Sequence, residues 1–180
     1  MTDAMLVLAR ENQAHAGAVN VEFLKGYIEA ISLPEHSVDV VISNPVVNWS
    51  PHKDAVFAET FRILRPGGRM AIAGVVIRDP QPGASEMPAS LRHDLALWSG
   101  CSLQVGEYRQ KLYGAGFENL TIAEMHTYTL RDLGFSTSDG RDASLAVLVV
   151  SAFVRAHKPA YGSFPPQHRN GRGSCTAIAS

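Results

Sequence analysis

The chain has 180 residues, with 16 Lys plus Arg against 17 Asp plus Glu and a formal net charge of −1. Near-neutral charge without a basic run leaves no electrostatic footprint for DNA or RNA, and no apolar stretch is long enough to span a bilayer. Two cysteines, Cys101 and Cys175, do not make a disulfide framework, and Met1-Thr2-Asp3-Ala4-Met5 lacks the pattern of a secretion signal, so one domain with a single core in a reducing, cytoplasmic setting is expected.

Thr2 or Asp3 is placed to cap a helix running from Ala4 to about Ala16, closed by Gly17. Val19 to Leu24 alternates like a short strand, and Lys25-Gly26-Tyr27-Ile28-Glu29 is its exit. Ala30 to His36 is a polar connection. Val38 to Ser43 is an apolar strand that stops at Ser43-Asn44-Pro45, where a helical pattern begins. A helix follows from Lys53 to Leu64, with Phe57, Phe61 and Leu64 on one side. Arg65-Pro66-Gly67-Gly68 ends it with a turn. Arg69 to Val76 is apolar without strict alternation, which fits a strand covered on both faces.

Ile77 to Pro88 is a long Pro/Gly/Ser-rich loop, and such loops are often functional. Pro88 to Gly100 and Val105 to Ala115 read as helices, with Leu120 to Met125 as a strand between them and the end of the chain. Thr127 to Gly140 is polar and irregular. Ala143 to Val154 is apolar, and its valines favour a strand from Leu145 to Phe153. These elements predict one α/β domain over residues 1–158. Residues 159–180 form a polar Pro/Gly-rich tail expected outside the core.

Ligands of α/β folds sit at the carboxyl ends of strands, which singles out Asn44. The structural alternative is a turn asparagine bonding its own backbone. Asn48 and Ser50 share this position, although Ser50-Pro51 also reads as a helix-start cap. Trp49 and Trp98 fit either a substrate cavity or an ordinary core.

The run Phe61-Arg62-Ile63-Leu64-Arg65-Pro66-Gly67-Gly68-Arg69-Met70, together with Ser37 to Ser50, resembles the class I S-adenosylmethionine-dependent methyltransferases in order and spacing. Within them, four stretches are similar to arsenite methyltransferases: Val21 to Glu29, Asp39 to Phe57, Leu91-Arg92-His93-Asp94-Leu95-Ala96-Leu97-Trp98-Ser99-Gly100-Cys101, and Ala143 to Ala160. The resemblance covers roughly residues 1 to 160. It implies transfer of a methyl group from S-adenosylmethionine to trivalent arsenic, a small-molecule substrate, with no catalytic metal. It also implies that Tyr27, Ile28, Glu29 and Asn44 contact the cofactor, and that Cys101 and Asn44 serve the reaction.

The sequence departs from that pattern in three places. No Gly-x-Gly-x-Gly is present, and Met1 matches the start of the helix after the family's second strand. The expected fold is therefore a partial Rossmann-like class I methyltransferase fold lacking its first two strands. Such a chain would expose a sheet edge, rearrange its sheet, or form a homo-oligomer, and its activity is expected to be impaired. Pro45 stands where the family places a cysteine, and it cannot ligate a soft centre. Cys101 is followed by a shortened turn, Ser102-Leu103-Gln104; on the residues alone it is equally a small buried hydrophobe.

Overall fold

The computed structural model describes residues 2–79, 102–129, 132, 149–160 and 175–179. The expected helix over Pro88–Gly100, most of the loop before it, and Cys101 lie outside these residues.

Helix α1 spans Asp3–His15, capped by Thr2, whose Oγ1 accepts from Met5 N. Strand β1 is Val21–Lys25 and β2 is Val38–Ser43. A short helix α2, Val46–Trp49, and helix α3, Lys53–Ile63, follow. Strand β3 is Leu64–Ile77, α4 is Val105–Gly114, β4 is Glu118–Tyr128, β5 is Val149–His157 and β6 is Cys175–Ala179. Thr127 and Tyr128 therefore extend a strand where an irregular segment was expected. The strand expected over Leu145–Phe153 is described only from Val149, and it runs on to His157.

Four strands form one sheet in the order β2-β3-β5-β4. β2 and β3 are parallel, and β5 runs antiparallel to both β3 and β4. β1 belongs to a second, two-stranded sheet with β6, paired in parallel from Val21↔Cys175 to Lys25↔Ala179. The residues after Lys158 carry no sustained apolar pattern, yet five of them supply that strand. A short segment can pair through its backbone without announcing itself in composition.

The Arg65–Gly68 turn sits inside β3 as an irregularity. Val38 pairs with Leu64 and Val40 with Arg69, so one residue of β2 faces four of β3. Gly67 has φ +77°, and a Cβ at Gly68 would come within 3.0 Å of Asp39 O, so both glycines are structural here.

Helices α3 and α4 cover one face of the sheet. Val56 and Phe57 of α3 and Tyr108 and Leu112 of α4 pack with Met70, Ile72 and Val76 of β3 and Val150, Ala152 and Val154 of β5. The alternating positions on β3 and β5 are only partly buried or exposed. A strand covered on both faces was expected; among the described residues, one face is core and the other is half covered.

The C-terminus of α3 leaves few carbonyls without donors. Thr60 O accepts from Leu64 N, Arg62 O from His36 N, and Ile63 O from Ser37 N. Lys158 Nζ reaches Phe61 O at 2.7 Å and Leu64 O at 2.8 Å from the end of β5. A buried ammonium at a helix C-terminus is favoured by the partial negative charge there.

Candidate functional site at the strand ends

The carboxyl ends of β2 and β3 lie side by side, and Pro45 begins α2 directly after β2. Pro45 fits at the N-terminal boundary because no donor is needed from it, and its carbonyl accepts from Asn48 N at 2.8 Å. Asn48 is 4% exposed. Its Nδ2 donates to Val75 O at 2.7 Å and to Ser102 Oγ at 2.8 Å. Its Oδ1 lies where a Cβ on Gly74 would be, 2.7 Å away. A glycine is needed in β3 for the amide to lie this close to the strand.

Ser50 is also buried. Its Oγ donates to Glu29 Oε1 at 2.5 Å and accepts from His52 N at 3.1 Å. Lys53 Nζ donates to Asn48 O at 3.0 Å and to Ser50 O. This buried ammonium gathers the carbonyls where α2 gives way to α3. Further along, Ile77 N donates to Leu103 O at 3.0 Å, and Asp79 Oδ1 accepts from Gly106 N at 2.9 Å at the start of α4. One polar network therefore joins the exit of β1, the segment after β2, the end of β3 and the segment entering α4.

A methyltransferase domain family matches residues 1–128.

The chain belongs to that methyltransferase domain family. It is 43% identical over 161 residues to an arsenite methyltransferase of Halobacterium salinarum, covering 89% of this chain and 39% of that protein. It is 34% identical over 87 residues to the arsenite methyltransferase of Homo sapiens, covering 47% of this chain and 22% of that one. Among solved structures, an arsenic (III) S-adenosylmethionine methyltransferase from Chlamydomonas reinhardtii superposes with a TM-score of 0.68 at 26% identity, over 91% of this chain and 55% of that one. A methyltransferase of Bacillus halodurans, at 17% identity and a TM-score of 0.60, shares the fold. The chain thus spans about two fifths of the Halobacterium relative, and its architecture is a Rossmann-like methyltransferase fold.

Within this methyltransferase domain, Asn44 is exposed at the end of β2 and has no side-chain hydrogen-bond partner among the described residues. The alternative of a turn asparagine satisfying its own backbone does not apply. Tyr27 is 77% exposed, whereas Ile28 packs against the core and Glu29 is tied to Ser50. Asn44 and the Tyr27–Glu29 loop are brought to one region because Glu29 touches the segment that Asn44 opens. Ser50 does not cap α3 in the expected way, since His52 holds that position. Trp49 is 65% exposed, so its reading as a core aromatic is corrected. Cys101 and Trp98 lie outside the described residues; Ser102, next to Cys101, is held by Asn48.

Sequence reasoning missed Lys53, Gly74 and the anchoring role of Ser102. A lysine at a helix start reads as a solvated charge, and Gly74 reads as one small residue in an apolar strand. A shallow cleft of about 490 Å³ lies elsewhere, between α3 and α4, lined by Asp54, Ala58, Glu107 and Lys111. None of its lining residues belongs to the network. No cluster of metal-ligating side chains occurs among the described residues.

Proposed function

We propose that this chain is an S-adenosylmethionine-dependent methyltransferase domain of the arsenite methyltransferase type. The observation that carries the reading is the 43% identity across 161 residues to a protein of that activity. The site supports it. Exposed Tyr27 offers a ring face, Ile28 an apolar surface, and Asn44 both an amide donor and an acceptor, which suits one side of a nucleoside. When bound, S-adenosylmethionine supplies a methyl carbon open to attack by a polarisable nucleophile. The chain's own work is to orient the reactants and exclude water. In this reading Asn44 orients the reacting groups, and the Cys101 thiolate holds trivalent arsenic.

A second acceptor chemistry is favoured by one observation. Pro45 is exposed at the start of α2 and offers no thiolate where the resemblance calls for one. Another small nucleophile would then replace arsenite. β2 also has a single paired edge among the described residues, and Val40 and Ile42 beside it are exposed. That edge favours self-association, which light scattering on the eluted chain measures.

Calorimetric titration with S-adenosylhomocysteine is the direct test. Saturable micromolar binding supports the methyltransferase reading, and a folded chain that takes up no heat refutes it. Methyl transfer to arsenite that stops when Cys101 is blocked in a Cys175→Ser background assigns the acceptor to arsenic. Transfer indifferent to the block assigns it to another acceptor.

A further inference from the structure

We propose that Glu29 and Ser50 form a clamp that sets the pose of the Tyr27–Glu29 loop, so that Glu29 acts as a positioning residue and not as a ligand group. The inference rests on the reading of that loop as the nucleoside side of the site. It starts from the topology. Among the described residues, β1 and β2 lie in different sheets with no ladder between them. Side-chain ties therefore help to place the β1 exit against the segment after β2.

Two groups of ties are present. Glu59 Oε2 accepts from Ile31 N at 2.8 Å, while the Arg62 guanidinium donates to Ile31 O and Leu33 O, each at 2.8 Å. These fix residues 31–33 to α3. On the other side of Ala30, the Ser50 hydroxyl holds Glu29. The Glu29 anchor sits within a tight turn, with Ala30 N donating to Tyr27 O at 3.1 Å. Pinning Glu29 and Ile31 on either side of Ala30 leaves the turn little freedom, and it carries Tyr27 outward.

Ser50 suits the anchoring role because it is itself immobile. Its hydroxyl accepts from His52 N, its carbonyl is held by Lys53, and it is 4% exposed. A hydroxyl donating to a carboxylate is a charge-assisted hydrogen bond, roughly twice as strong as a neutral one. Being mostly out of water, it competes little with solvent. A carboxylate oxygen engaged in this way is spoken for before any ligand arrives.

The test uses four single variants of the full chain and the double alanine variant. Ser50→Ala and Glu29→Ala remove the bond. Ser50→Thr keeps a hydroxyl, and Glu29→Gln keeps an acceptor while losing the charge. Hydrogen exchange of the amides from Tyr27 to Ala30 is followed in each, with the amides of β3 and β5 as the internal reference. Loss of the bond should speed exchange of the loop amides about tenfold in both alanine variants and no further in the double variant. Ser50→Thr should stay near the parent, and Glu29→Gln, which keeps only a neutral bond, should fall between the parent and the alanine variants. Affinity for S-adenosylhomocysteine should follow the same grouping.

Loop amides unaffected by Ser50→Ala would overturn the clamp. So would a Glu29→Gln variant that loses affinity while its loop amides remain protected, because the carboxylate would then be contacting the ligand. If the parent binds no S-adenosylhomocysteine while the exchange pattern holds, the methyltransferase reading fails and the clamp stands.

Discussion

Lys158→Met is the sharpest probe of how α3 is joined to the sheet. Methionine keeps the length and apolar stem of lysine and removes the ammonium. The side chain is 3% exposed, and its Nζ makes two hydrogen bonds, to Phe61 O and Leu64 O. It also lies 4.3 Å from the centroid of the Phe61 ring. Each hydrogen bond from a charged donor is worth about 1.5–3 kcal/mol net, and the ring contact adds about 1 kcal/mol. Against this stands the cost of holding a cation out of water, which also lowers the Lys158 pKa from its ordinary value. The two carbonyls decide the balance, because Met leaves them without their donor in a place water reaches poorly. The expected loss is about 2–3 kcal/mol, or about 5–10 °C in Tm for a chain of this size. Urea unfolding followed by far-UV circular dichroism measures it, with an unchanged m-value confirming the same folded state. A loss below about 1 kcal/mol would show that relief from burying the charge cancels the bonds, and the capping argument would fail.

Three further outcomes follow from single groups. Tyr108 is almost fully buried in the core, and its hydroxyl has no partner among the described residues. Burial pushes its pKa far up, so it stays neutral; Tyr108→Phe should stabilise the chain by about 1 kcal/mol, and a thermal melt showing a loss would reveal a hidden partner. Gly74→Ala should cost about 1–3 kcal/mol, because the new methyl meets the pinned Asn48 amide at 2.7 Å. Adding Asn48→Ala should then cost less than the two single changes together, and strict additivity would sink that contact. The Arg62 guanidinium, chiefly by hydrogen bonding, holds the Glu59 carboxyl below its usual 4.5. A carboxyl with a lowered folded pKa contributes stability that is full above 4.5 and is lost as pH falls through the lowered value. Acid titration of the unfolding free energy should therefore decline less steeply in Glu59→Gln; an identical slope would exclude this pair from acid unfolding.

Much of the sheet was legible because its signals are local. Val38–Ser43 ends at a polar turn, and Lys53–Ile63 shows an apolar helical face. Arg65-Pro66-Gly67-Gly68 breaks the chain where Gly67 takes a positive φ. Asn44 could be singled out by its place after β2. What stayed hidden depends on distant partners. Lys53 and Lys158 look like solvated charges until the carbonyls they cap are seen. Glu29 and Ser50 are 21 positions apart, and neither marks the other. β6 pairs with β1 although the stretch before it is rich in Pro and Gly. Trp49 fitted a core because tryptophan often lies there, yet it is exposed on the four-residue α2.

The division into two sheets has a consequence for how the molecule comes apart. A two-stranded sheet is marginal by itself, and the β1–β6 pair adds α1, where Leu6 is the buried residue. It meets the four-stranded body through side-chain ties and not through a shared ladder. Opening free energies should then be graded along the chain, low over α1 and β1 and global in β3 and β5. A protease acting on the native protein would enter there first. The surviving fragment would carry β2 through β5, with the segment after β2 intact and the Tyr27–Glu29 loop gone.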